Sequence, residues 1–235
     1  MNYSGVSAML KIAAVGLMLA SLPASAETVE VAPGVQLTKR SYNAPVNEQP
    51  FFGFVVKDAA QREADEKFVA ALVKATGSRE KAFDEATTRA WRAVIAGKAS
   101  EAVVRFNQAW LISPEPSALY HGMAVVALMR FNDPVFAEEL FNIARKQPKP
   151  LKMLNADYGR FLLIAKRPAD AQKALEQAVV DNPDFGDAWS NLAQARLQNG
   201  DRAAACVAAD EAGKRRPSAN AMKDLGALRS SAACP

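Results

Sequence analysis

The chain has 235 residues, half of them hydrophobic, with 29 basic and 25 acidic side chains. This length and apolar content support one or two domains with a sizeable core, and a nearly balanced 23% of charged residues excludes disorder over most of the length. The formal charge is +4, and the basic clusters Arg145–Lys146 and Lys214–Arg216 complement predicted helix C-termini, so no concentrated stripe points to nucleic acid.

The N-terminus reads as an export signal. Lys11 precedes the apolar run Ile12–Leu22, Pro23 breaks it, and Ala24–Ala26 supplies the small-residue cleavage pattern. The expectation is cleavage after Ala26, a mature chain from Glu27, and a periplasmic or secreted location. The run has 11 residues, too few to cross ~30 Å of hydrocarbon as a helix. No second stretch of spanning length follows, and no cysteine sits near the cleavage point to carry a lipid. No integral membrane span is therefore expected in the mature chain; the alternative is an uncleaved anchor. Cys206 and Cys234 are the two cysteines. In an oxidising compartment they permit one disulfide, which would tie the tail to the last helices. The alternative is two unpaired thiols, with Cys206 a small core residue.

Residues 27–56 form an irregular, extended arm. Pro33, Gly34, Pro45, Pro50 and Gly53 punctuate it, and Thr28–Val31 has strand composition. Its apolar stretch Phe51–Val56 is a short strand, a clasp docked on the helices, or an exposed peptide that inserts into a partner; docking is favoured because such patches are uncommon on monomers. Residues 57–82 begin the helical part. Phe68, Ala71, Leu72 and Ala75 recur at helical spacing up to Gly77 and Ser78. A second helix is predicted from Arg79 to Ile95, stopping at Gly97.

From there the chain repeats. Pro183 and Pro217 are 34 residues apart, and Pro114 and Pro183 are 69 apart. Residues 186–219 place Trp189, Leu192, Ala193, Ala205, Ala212 and Pro217 at fixed repeat positions, with a turn at Asn199–Asp201 and Asp201 suited to cap the next helix. Residues 152–185 repeat this with Gly159, Leu162, Ala171, Leu175, Ala178 and Pro183, and with Pro168 suited to a helix first turn. Residues 83–116 give Ala90, Ala102, Phe106, Ala109 and Pro114, with Ser100 as the expected second-helix cap. Residues 117–151 are a looser copy, with Tyr120, Met123 and Ala124, then Asp133 and Pro134 opening its second helix. Residues 220–235 hold a capping helix and tail, with Ala221, Met222, Leu225 and Leu228 on the predicted packing face.

This register resembles the tetratricopeptide repeat (TPR), a 34-residue pair of antiparallel helices. The segment Arg105–Ile112 followed by the Tyr120 helix is also similar to uncharacterised exported bacterial TPR proteins, a likeness that carries no function. The resemblance implies an all-α fold: a right-handed superhelical array of helix hairpins behind an irregular arm. It also implies a concave groove lined by the first helix of each repeat. Carried across by position, the peptide-binding groove residues are Asp84, Thr87, Trp91, His121, Val125, Asp157, Arg160, Asn191, Gln194 and Gln198, with Thr88, Leu128, Met129, Leu163, Asp187 and Ser190 at the remaining groove positions. Trp91 stands equally for groove or core, Trp189 points inward, and Trp110 is expected to pack on the next hairpin. Only Arg160 and Asn191 hint at the family's carboxylate clamp, and Arg160 has Asp157 three residues before it as an alternative partner. The ligand expected is a mixed apolar–polar peptide or protein surface.

The enzyme reading is remote. There is no phosphate-binding glycine loop, no Gly-x-Ser-x-Gly turn and no paired-cysteine redox motif. His121 is the only histidine and lacks the second ligand a zinc site needs. Acid–base work with Asp157 requires the two side chains to meet across repeats. No cofactor is implied. The sequence thus predicts an exported TPR scaffold or adaptor for a protein or peptide, in envelope assembly or secretion. The alternative is an oligomerising module acting through the arm or the convex face.

Overall fold

A computed structural model describes residues 27–234. The export signal expected in residues 1–26 lies outside the described residues. Ten α-helices follow one another among them: α1 (Ala59–Thr76), α2 (Arg79–Ile95), α3 (Ala99–Ile112), α4 (Ser117–Phe131), α5 (Pro134–Ala144), α6 (Leu154–Ile164), α7 (Pro168–Asp181), α8 (Gly186–Gln198), α9 (Arg202–Lys214) and α10 (Ala219–Ala232). The pairs α2–α3, α4–α5, α6–α7 and α8–α9 are hairpins, stacked in chain order. None of the helices is long and apolar enough to cross a membrane.

Local chemistry sets the helix ends. Asp58 and Gln61 form a capping box ahead of α1, and Gly77 closes that helix with φ 86°, a left-handed value glycine adopts without a Cβ clash. Ser78, Asp133, Asp201 and Ser218 each accept a backbone N–H at the start of α2, α5, α9 and α10. Ser100 does not cap α3, contrary to expectation. Gly97 turns the chain at φ 71° and the Lys98 N–H returns to the Ala93 carbonyl. Helix α3 therefore opens at Ala99, with Ser100 already inside it, and the Ser100 hydroxyl accepts from Arg130 instead.

Small residues set how closely the helices approach, at Gly122 between successive hairpins and at Gly159 within one. A Cβ on Gly122 of α4 would lie 2.0 Å from the Phe106 ring of α3, and one on Gly159 would lie 2.4 Å from Leu175 of α7. Both neighbours are fully buried, so neither can swing aside in a close-packed core. Continuous apolar packing runs from Val31 in the arm to Ala232 in α10. Helix α10 covers the end of the stack with Ala221, Leu225, Leu228 and Ala232. Met222 was expected on that face but is 54% exposed. It sits one residue, about 100° of helix, off the i, i+4, i+7, i+11 line that the buried set follows. A disulfide joins Cys206 of α9 to Cys234 just beyond α10, with Cα atoms 5.5 Å apart.

The arm is docked. Strands β1 (Thr28–Ala32) and β2 (Val35–Thr38) form an antiparallel hairpin, and short turns follow at Val46–Glu48 and Pro50–Phe54. Leu37 and Phe51 are buried against the helices. The Asn107 amide of α3 donates to the carbonyls of Asn47 and Gln49 at 3.0 and 2.8 Å. The Thr38 N–H donates to Glu139 of α5 at 2.7 Å, and Tyr42 donates to Asp133 while stacking on Phe131. Trp110 packs on Phe51 and Phe52 and donates its indole N–H to the Val31 carbonyl, so its partner is the arm rather than the next hairpin. Phe51–Val56 is not a strand. Phe51, Phe52, Gly53 and Phe54 have φ of 54°, 53°, 62° and 58°, a left-handed turn that buries Phe51 beneath it.

Two substitutions test this packing. Gly122→Ala should lower unfolding stability by about 1–3 kcal/mol in chemical denaturation although alanine favours helix, because overpacking outweighs propensity. An unchanged or raised midpoint would contradict the close approach. Asn107→Ala leaves two arm carbonyls without their donor and should cost about 1–3 kcal/mol, with new protease cleavage between residues 39 and 56; a protected arm in that variant would show that Asn107 does not hold it.

Candidate functional site

The first helix of each hairpin presents one stripe at i, i+4, i+7 and i+11. In α2 it comprises Asp84, Thr88, Trp91 and Ile95; in α4, Val125 and Met129; in α6, Asp157, Arg160 and Ile164; in α8, Asp187, Asn191, Gln194 and Gln198. Spacing of this kind puts residues on one helix face. Asp84, Arg160 and Gln198 are exposed, while Trp91, Val125, Asp157, Asn191 and Gln194 are half-buried.

Three expected groove residues, Thr87, His121 and Ser190, are not at the surface. Thr87 is buried, and its hydroxyl donates to the Phe83 and Asp84 carbonyls of its own helix, since it sits one residue off the stripe. The His121 side chain has no exposed surface. Its Nε2 lies 2.8 Å from an Asp157 oxygen, so the proton it donates joins α4 to α6. Its ring centroid is 4.8 Å from that of Trp91 and 5.9 Å from that of Phe141. Trp91 in turn sets its edge against Phe106. Trp91 thus packs into the core while part of it stays exposed on the stripe. The line Trp91–His121–Asp157 crosses three consecutive first helices beneath the groove.

Asp157 is taken by His121, and Arg160 has no ion-pair partner among the described residues. The α8 end of the groove is polar. Asn191, Gln194, Asp224 and Ser231 surround a cavity of about 360 Å³ between α8 and α10, with Leu197 and Leu228 against it. Ser190 and Asp187 face α10 but are occupied: the Ser190 hydroxyl donates to the Ala221 carbonyl, and Asp187 accepts the Ser218 N–H. Trp189 is half-buried, with its N–H on the Pro183 carbonyl and Arg215 over its ring. Tyr120, which would be a phenol base in an enzyme, donates to the Pro114 carbonyl at 2.6 Å; burial, then the nearby Glu115 charge, push its pKa up and keep it neutral.

Position-by-position reading reached the strongest feature of the groove only at Met129 and missed Ile95 and Ile164. Ile95, Met129 and Ile164 are 84%, 46% and 70% exposed. They fall at the same place in three successive repeats, the thirteenth position counted from residues 83, 117 and 152. The fourth repeat has Gln198 there. The register alone could have found this apolar rim.

No family model matches the chain, and no curated protein sequence is similar to it. Solved structures are similar. One is PilF of Pseudomonas aeruginosa, with TM-score 0.57 and 22% identity over 65% of this chain and 70% of that one. Another is YrrB, described as a TPR protein with an unusual peptide-binding site, with TM-score 0.48 and 17% identity over 60% of this chain and 73% of that one. The likeness shows the fold: an all-α solenoid of TPR-like helix hairpins.

His121→Ala should cost about 2–4 kcal/mol in unfolding free energy, since it leaves a cavity and strips the Asp157 carboxylate of its donor. A change within about 0.5 kcal/mol, the usual range for surface substitutions, would contradict the buried cross-repeat pin.

Proposed function

We propose that this chain is an exported, periplasm-type adaptor that binds a protein or peptide partner in the groove of α2, α4, α6 and α8, in envelope assembly or secretion. The observation that carries the reading is the exposed apolar rim Ile95–Met129–Ile164. Exposed apolar surface aligned across several repeats marks an interaction site, because water contact there is unfavourable until a partner covers it. The polar α8–α10 end supplies amides that match a peptide backbone, which both donates and accepts. The fold supports the same reading, since extended concave surfaces are how solenoids bind. Export rests on Lys11, the run Ile12–Leu22 and the Ala24–Ala26 pattern. A disulfide between Cys206 and Cys234 suits an oxidising compartment.

The arm-mediated form of the competing assembly reading needs an arm free to insert into a partner, whereas Leu37 and Phe51 are buried on the helices. A catalytic His121 needs substrate access to an imidazole that has no exposed surface.

The test is a pull-down from envelope extract with the wild-type chain and with Ile95→Ser, Met129→Ser and Ile164→Ser combined. These side chains are exposed, so the fold should survive. Loss of the captured partner from the triple variant, with an unchanged helical signal, is expected. Undiminished capture would refute the groove.

A further inference from the structure

A second concave site lies where the arm meets the helices, outside the groove. Its volume is about 330 Å³, at the small end of ligand-sized pockets. Val29 and Val31 of β1, Phe52 and Phe54 of the left-handed turn, Val56 and Trp110 wall it. No β2 residue lines it, so it opens along the outer edge of β1.

That edge has no strand partner, although the Val31 carbonyl of β1 takes the Trp110 N–H. The Lys39 N–H donates to the Glu27 carbonyl, and the Thr38 N–H points away from β1 to Glu139. Thr28 and Thr38 are therefore a non-hydrogen-bonded pair. In an antiparallel ladder this alternation directs the backbone groups of Thr28 and Glu30 outward from β2. The two-stranded sheet has no third strand to take them, and such an edge is a template for an added strand.

The surrounding chemistry selects what is added. Val56 is 96% and Val55 46% exposed beside the cavity, an apolar demand. The rim is basic. Lys57 lies 3.7 Å from the Phe52 ring centroid and pairs with Asp65. Arg62 donates to the Lys57 carbonyl and has no carboxylate partner among the described residues. Glu30 is occupied by the Gly34 N–H. Arg62 is thus the cation at the mouth of this aromatic cavity with no carboxylate in ion-pair reach, while the Glu30 carboxylate on the cavity wall keeps its negative charge.

We propose that this cavity docks an extended peptide segment of a partner, which adds to the β1 edge, seats one large apolar side chain among Phe52, Phe54 and Trp110, and sets an acidic side chain on Arg62. The arm is then a built recognition element and not merely a brace. Backbone pairing supplies affinity, and the cavity and Arg62 supply choice of sequence.

The test is a random peptide library with both chain ends fused or capped, selected against the full chain. Enrichment of peptides with a large apolar residue next to an acidic one is expected. Binding of a selected peptide should weaken about tenfold or more, about 1.4 kcal/mol, for Arg62→Glu and for Val56→Asp. It should also weaken when alternate peptide nitrogens are methylated. Both replaced residues are exposed, so a folded variant is expected and is checked by its helical signal. Ile95→Ser with Ile164→Ser, in the groove, should leave the same peptides bound, which separates this site from the groove reading. No enriched motif, a basic motif, or selected peptides lost only with the groove variant would each overturn the proposal.

Discussion

The structure depends on how closely its helices approach, both within a hairpin and between successive hairpins. Phe106 occupies the space that a side chain at Gly122 would fill, and Leu175 does the same at Gly159. The large residue of one helix is accommodated only because the facing residue is small. Once that spacing is set, each first helix turns the same face outward, and residues of equal register line up along the stack. The groove is therefore a consequence of packing on the other side of the same helices. Its floor is held by a polar pin. His121 and Asp157 bond between α4 and α6, with Trp91 of α2 against the imidazole. A residue suited to acid–base chemistry is here spent on joining repeats.

The arm answers a different constraint. Side chains of second helices α3 and α5 that face away from the groove are apolar or hydrogen-bonding, and they need cover. Phe136 and Trp110 meet Phe54, Phe51 and Phe52 of the arm. Asn107, which has no exposed surface, would be a costly buried amide without the carbonyls of Asn47 and Gln49. The left-handed turn from Phe51 to Phe54 is unfavourable for residues with a Cβ. It is kept because it aims Phe51 into the core and leaves Phe52 and Phe54 around the cavity at β1. The two faces of the solenoid thus differ: one is covered by the chain itself, the other carries the bare apolar rim.

Much of the architecture was legible in the sequence because repeats announce themselves by period. The prolines at 183 and 217 and the alanines between them marked the hairpins, and Asp133, Asp201 and Ser218 carry local capping chemistry that needs no tertiary context. The errors came where a neighbour decided. Ser100 looked like a cap until Gly97 moved the helix start. Met222 looked inward until the line through Ala221 and Leu225 was fixed by α8 and α9. Thr87 and His121 occupy register positions that face the ligand in the family pattern, yet each is one step off the exposed stripe of its own helix. No local rule reveals that His121 of α4 reaches Asp157 of α6, since they are 36 residues apart. The docking partner of Trp110 was equally hidden, as the arm has no repeat register to align. The rim at Ile95, Met129 and Ile164 was written in the register, but only its exposure separates it from core.

The central claim is that the groove partner lies along the first helices α2, α4, α6 and α8. Photo-crosslinking from single positions decides this most directly. A crosslinking residue at Met129, exposed in the groove, is compared with one at Val180, which is 72% exposed on the second helix α7. The account predicts a covalent partner adduct from position 129 and none from position 180. Adducts from position 180 alone would contradict it.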